Sequence, residues 1–202
     1  MSFNSKNKGF TLTETIIVIG IACIIFIAVF NFGQSIFSFN LFAQNTLNAQ
    51  NDARRVLKVM VAELRKASPS SLGAYPIASA EDNSVIFFSN IDDDNYKERV
   101  RYFLDGTTLK KGIIKPSGIP LSYHFDSEET YTLIKNIDNG AVPVFDYFDS
   151  SYTGTSTPLI QPVATTQVRL IRITLNLNKN PDRQDPLIVR SQVFLRNLKD
   201  NL

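Results

Sequence analysis

Redox and metal-cluster chemistry have almost nothing to work with in this chain: one Cys and one His among 202 residues. A single cysteine forms no internal disulfide, and one Cys with one His builds no zinc cluster. Excess charge is missing as well, with 21 basic against 19 acidic side chains. That balance excludes a polyelectrolyte tail as the main content and gives no strong basic field for nucleic acid. No G-x-S-x-G, H-E-x-x-H, P-loop or Rossmann fingerprint occurs. His124 falls in a stretch that reads as an alternating strand, where a structural or exposed role is expected. Enzymatic activity is not expected.

Charge is also absent locally. After Lys8 no Lys or Arg occurs until Arg54, and Glu14, Cys23 and Asp52 are the ionisable side chains between them. Residues 16–30 carry nothing polar. Counted from Phe10 to Phe30, the apolar stretch is about 31 Å long as a helix, which matches a hydrocarbon core of about 30 Å. The basic side is the N-terminal one, so the positive-inside bias puts residues 1–9 in the cytoplasm and the rest outside. A buried core helix would not be so uniformly apolar. A cleaved secretory signal would have a shorter apolar region and an A-x-A-like exit, whereas this one leaves through Asn31, Phe32 and Gly33. A retained N-terminal anchor is the expectation. Cys23 within it acts as a small apolar residue. Glu14 stands out, because a carboxylate at the membrane centre costs on the order of 2.5–3.5 kcal/mol. Two readings stand for it: reaching the headgroups, or meeting a positive partner in the membrane.

Lys8-Gly9-Phe10-Thr11-Leu12-Thr13-Glu14 followed by an apolar helix resembles the processing motif of type IV prepilins, the family of pilus subunits and type II secretion pseudopilins. The resemblance implies that prepilin peptidase cuts between Gly9 and Phe10, that Phe10 is then N-methylated, and that Glu14 pairs with the Phe10 ammonium of a neighbouring subunit. It also implies the partners: the peptidase, other pilin or pseudopilin subunits through the helical spine, and an inner-membrane assembly platform. In that family the K-type tip subunit usually lacks the Glu, so Glu14 argues against that role. Removing residues 1–9 takes away Lys6 and Lys8 and leaves basic and acidic side chains balanced.

Beyond the span, Ile36, Phe39, Ala43, Leu47, Gln50, Ala53, Leu57, Met60 or Val61, and Leu64 recur at helical spacing, with Asn45, Asn48, Asn51, Arg55, Lys58 and Arg65 between them. Ser68-Pro69 ends the pattern. A helix over residues 10–67 would be about 87 Å long. From residue 84 the period becomes two, and strands are expected over 85–89, 99–104, 108–111, 121–125, 130–137, 144–148, 168–177 and 187–196. In the seventh, Ile171, Ile173, Leu175 and Leu177 face one way and Arg172, Thr174 and Asn176 the other. Asp105-Gly106, Pro116-Ser117-Gly118, Asp138-Asn139-Gly140 and Asn180-Pro181-Asp182 are turn signals. Residues 149–166 read as a long surface loop. The fold expected is α+β: a long N-terminal helical spine, transmembrane then amphipathic, packed on an antiparallel sheet head. The domains are a leader (1–9), the transmembrane half (10–30), the amphipathic half (31–67) and a β-rich head (68–202).

A second, more diffuse resemblance covers most of the chain. The order of Arg54-Arg55-Val56, Ala62-Glu63-Leu64-Arg65, Ser84-Val85-Ile86-Phe87-Phe88, Val100-Arg101-Tyr102-Phe103-Leu104, Leu133-Ile134-Lys135-Asn136-Ile137, Val144-Phe145-Asp146-Tyr147 and Val193-Phe194-Leu195-Arg196-Asn197 is similar to J-type minor pseudopilins and related minor pilins. Asp92-Asp93-Asp94-Asn95 alternates oxygen donors as calcium sites do. A solvated turn is the expectation there, with no cofactor and with calcium at Asp92 and Asp94 as the weaker alternative. Arg169, Arg172, Arg190 and Arg196 are candidates for a basic surface, but strand parity sends Arg169 and Arg172 to opposite faces. Tyr147, Phe148 and Tyr152 are expected in the core.

The functional expectation is therefore a structural minor pilin or pseudopilin of a bacterial inner membrane. The resemblance leaves the machine open between type II secretion, a type IV pilus and competence DNA uptake. The competing reading is a single-pass anchored module that captures an extracellular ligand or DNA outside any filament.

Overall fold

The structure is a computed structural model that describes residue 9 and residues 11–92, 94–178 and 187–195. The first element, α1, runs Leu12–Arg65. Contacts divide the chain into two compact units, Met1–Asn45 and Thr46–Leu202, so the last part of α1 belongs to the second unit.

Over residues 16–30, in the first unit, the helix is apolar on every side. Ile16, Ile24 and Phe30 expose 62%, 69% and 57% of their surface. Among the described residues this is the one helix long and apolar enough to cross a membrane, and none of its most apolar window is buried. A run of bare Ile, Val and Phe of this length exceeds what a soluble monomer leaves in water, so lipid or other helices must cover it.

In the second unit α1 becomes one-sided. Ala49, Ala53, Leu57, Met60 and Leu64 are buried, one helical turn after another. The predicted face starts too early: Ile36, Phe39 and Leu47 are exposed. The helix closes with i→i+3 bonds, Lys66 N to Glu63 O and Ala67 N to Leu64 O, and Ser68 N then donates to Phe88 O. Those tight bonds end α1 two residues before the expected stop, ahead of Pro69.

Eight strands follow in two antiparallel sheets rather than one. The first is a five-stranded meander of β1 (Ile77–Glu81), β2 (Ser84–Ser89), β3 (Glu98–Asp105), β4 (Thr108–Ile114) and β5 (Glu129–Ile134) in that spatial order. The second has the order β6 (Phe145–Phe148), β7 (Leu170–Leu177) and β8 (Leu187–Phe194). One core joins helix and sheets: Leu57, Met60 and Leu64 cluster with Val85, Phe87, Val100, Tyr102 and Leu109 of the meander and with Phe145, Tyr147, Ile171, Ile173 and Val193 of the second sheet. Tyr147 and Phe148 are core residues as expected, and Tyr152 packs its ring on Phe148. The Asp105-Gly106 turn is where the sequence placed it. Asp105 pairs with Thr108, and Gly106 at φ +58° supplies the left-handed backbone of the two-residue connection.

Two strand expectations need correction. β1 is missing from them, because Ile77-Ala78-Ser79-Ala80-Glu81 has weak strand propensity and its ladder is broken by an irregularity between Ile77 and Ser79. Residues 121–125 are not a strand. Ser117 and Ser122 close a small loop around Gly118, and Phe125–Ser127 forms a 3-10 turn. His124 therefore sits exposed in that loop, with Nε2 2.9 Å from Ser122 Oγ. β7 forms as expected, and Thr174 and Asn176, opposite in parity to Ile171 and Ile173, are buried as well. Asn139 beside them donates to Thr174 O at 2.9 Å and accepts from Asn176 N at 2.9 Å. The Asn180-Pro181-Asp182 turn and Arg196 lie outside the described residues.

Candidate functional site

Helix α1 needs a first turn that satisfies its free N–H groups. Thr11-Leu12-Thr13-Glu14 supplies it. Glu14 N donates to Thr11 Oγ1 at 3.4 Å, and Thr11 N donates to Glu14 Oε2 at 3.5 Å. This is the reciprocal T-x-x-E arrangement of a capping box, with the carboxylate at the positive end of the helix dipole. The motif was legible in the sequence as T-x-x-E before an apolar run and was missed there. Both contacts are long, so they hold Glu14 lightly and leave its carboxylate open to a stronger cationic partner.

Gly9 is exposed, and a Cβ added to it would meet nothing within 4 Å. The fold itself makes no demand for glycine there. Lys6, Lys8 and Phe10 lie outside the described residues.

In the head, α1 is tied to the meander through Glu63. Its carboxylate accepts from Tyr102 OH at 2.5 Å and from Lys111 Nζ at 2.7 Å. Burial, then the charge and hydrogen bond of Glu63, push the Tyr102 phenol far above its ordinary range. A second carboxylate, Glu128, sits between Arg99 and Arg101. It lies directly over Gly112, where an added Cβ would collide with its Oε1.

The acidic loop brings together more than the sequence indicated. Ligand oxygens of Asp92, Asp94 and Glu98 lie within 4.8 Å of one another. The hydrogen bond from Lys115 holds Asp92 below the usual carboxylate range, while burial pushes Glu98 up and the charges of Asp92 and Asp94 add to that. Glu98 stands at the first residue of β3, four residues beyond Asp94, so sequence spacing alone does not join it to the acidic run.

The candidate arginines do not share one surface. Arg172 pairs with Asp146 at 3.0 Å, and Arg169 donates to Thr166 O and Val168 O. Arg190 instead faces α1 across a groove of about 590 Å³ that Arg54, Lys58 and Arg65 also line, with no acid among the lining residues. The helix cations have helical spacing, but only the fold reveals that β8 brings Arg190 to them.

Residues 4–30 match the family model described as a prokaryotic N-terminal methylation motif. No curated protein matches the chain. Among solved structures, a chain of the GspK-GspI-GspJ complex of the type 2 secretion system from enterotoxigenic Escherichia coli is similar at 12% identity. That match covers 73% of this chain and 97% of the other with a TM-score of 0.44, a likeness that carries no functional argument. The chain thus bears a prokaryotic N-terminal methylation motif, and the matched stretch contains Gly9, Phe10 and Glu14.

Proposed function

We propose that this chain is a minor pilin or pseudopilin subunit, made as a membrane-anchored precursor, cut between Gly9 and Phe10, methylated on Phe10 and packed into a filament through α1. The observation that carries the reading is the methylation motif at residues 4–30, which takes in the exposed apolar start of α1. Its mechanism is assembly. Cleavage creates the Phe10 ammonium. A Glu14 carboxylate in a neighbouring subunit gains from that cation in a low-dielectric setting, so a processed subunit with a neighbour is favoured over one alone. The partners are a prepilin peptidase, sister subunits and an assembly platform in a bacterial inner membrane, and the head lies outside the cytoplasm.

Gly9 tests the reading. With no constraint on Gly9 from its own fold, the requirement for a bare backbone would lie in the peptidase. Gly9→Leu in the native host is expected to accumulate precursor, with cleavage slowed at least tenfold, since misplacement by about an ångström costs on the order of a hundredfold. Immunoblots that separate precursor from mature chain read this directly. Wild-type maturation of the leucine variant would count against cleavage at this position.

A further inference from the structure

The loop between β2 and β3 places oxygen donors on the alternate residues Asn90, Asp92 and Asp94, and Glu98 follows at the start of β3. Three of them converge, with oxygens of Asp92, Asp94 and Glu98 within 4.8 Å of one another. Acidic residues crowd on many surfaces, but here one carboxylate is wholly buried. Glu98 is 0% exposed; its Oε2 accepts from Ile91 N at 2.9 Å, and its Oε1 has no hydrogen-bond partner. Asn90 Oδ1 in the same loop is also buried without a partner. Orphaned buried oxygens are uncommon in native folds and ask for a ligand.

We infer that Asp92, Asp94 and Glu98, with Asn90 beside them, form a binding site for a hard divalent cation of the calcium class. The donors are all oxygen, with no His or Cys in the group, which excludes the softer transition metals as preferred occupants. Ligands on opposite sides of calcium stand about 5 Å apart, twice its bond length of about 2.4 Å. The three carboxylates fall within that span. Magnesium, at about 2.1 Å, needs a tighter set. Charge agrees as well. Lys115 offsets Asp92 by an ion pair, which leaves two uncompensated carboxylates for a dication. The remaining coordination positions fall to water and loop carbonyls. Glu98 lies at the start of β3, so the ion would fasten the β2–β3 loop to the meander. Lys115 competes for Asp92 and must release it when the ion enters.

Full-length chain in detergent micelles, stripped with chelator, tests this by calorimetric titration with calcium chloride. Terbium luminescence sensitised by Tyr96 in the same loop gives a second readout. One saturable site is expected with a dissociation constant of about 0.1–1 mM, the range of extracellular calcium modules. Asp94→Asn and Glu98→Gln should each weaken it at least tenfold, and Lys115→Met should tighten it about fivefold by removing the competing cation. Circular dichroism in chelator checks that the variants keep the fold. Absence of saturable binding up to about 10 mM would overturn the site. So would unchanged affinity in both carboxylate variants.

Discussion

Glu63→Ala is expected to destabilise the head by about 3–5 kcal/mol, the largest single effect at the helix–sheet junction. The Glu63 carboxylate and the Lys111 side chain are only 16% and 12% exposed, and Tyr102 is fully buried. Removing the carboxylate leaves an ammonium without its counter-charge and a phenol O–H without an acceptor, both shielded from water. The penalty is the desolvation of those two groups rather than the loss of two ordinary hydrogen bonds. The Tyr102 phenol titrates above its ordinary value of 10.0. Its contribution is therefore complete below that pH and is lost only as pH rises through the higher folded value. Replacing all three groups, as in Glu63→Leu with Lys111→Met and Tyr102→Phe, should recover much of the loss, since apolar groups of similar size leave neither a buried charge nor an unpaired hydroxyl behind. Thermal unfolding of the full chain in micelles should show a midpoint about 10 °C lower for Glu63→Ala. An unchanged midpoint would mean that Glu63 does not hold α1 to the meander.

Glu14→Gln is expected to reduce incorporation into filaments at least tenfold, as severely as Glu14→Ala. The two roles of this residue separate here. As a cap, glutamine substitutes for glutamate, because its side-chain oxygen still accepts from Thr11 N. As the partner of a cation it does not, because the charge is gone. A tenfold effect needs only about 1.4 kcal/mol, less than a unit charge pair at 4 Å yields even at an effective dielectric of about 20. Thr11→Ala is the matching control. It removes the cap at a cost of about 1 kcal/mol and keeps the charge, so it should assemble far better than Glu14→Gln. Filaments isolated from host cells and probed for each variant give the answer. Normal assembly of Glu14→Gln together with failure of Thr11→Ala would make capping the real function.

Much of this was legible before the fold was seen. The apolar run over 16–30 and its basic start are properties of composition, so the anchor was readable. The one-sided pattern of Ala53, Leu57 and Leu64 was readable because burial repeats every helical turn. Asp105-Gly106 announced its hairpin through turn chemistry. What escaped had physical reasons. β1 is built from Ala and Ser, which say little about strands until β2 pairs with them. Leu121, Tyr123 and Phe125 alternate like a strand, yet Pro116, Gly118 and Pro120 shape a loop in which Tyr123 OH reaches Lys97 O at 2.7 Å. Glu63 and Glu98 look like ordinary surface acids, and only the third dimension shows that one joins Tyr102 and Lys111 while the other points a bare oxygen inward. At the N-terminus the motif carried the site, because its residues are neighbours in sequence and need no fold to meet.

The central claim is that the functional chain begins at Phe10. Determining the N-terminus of the protein purified from its own host, by intact mass and terminal sequencing, tests it most directly. The account predicts loss of residues 1–9 and a single N-methyl group on Phe10. A chain that starts at Met1, or an unmodified terminus elsewhere in the apolar span, would contradict it.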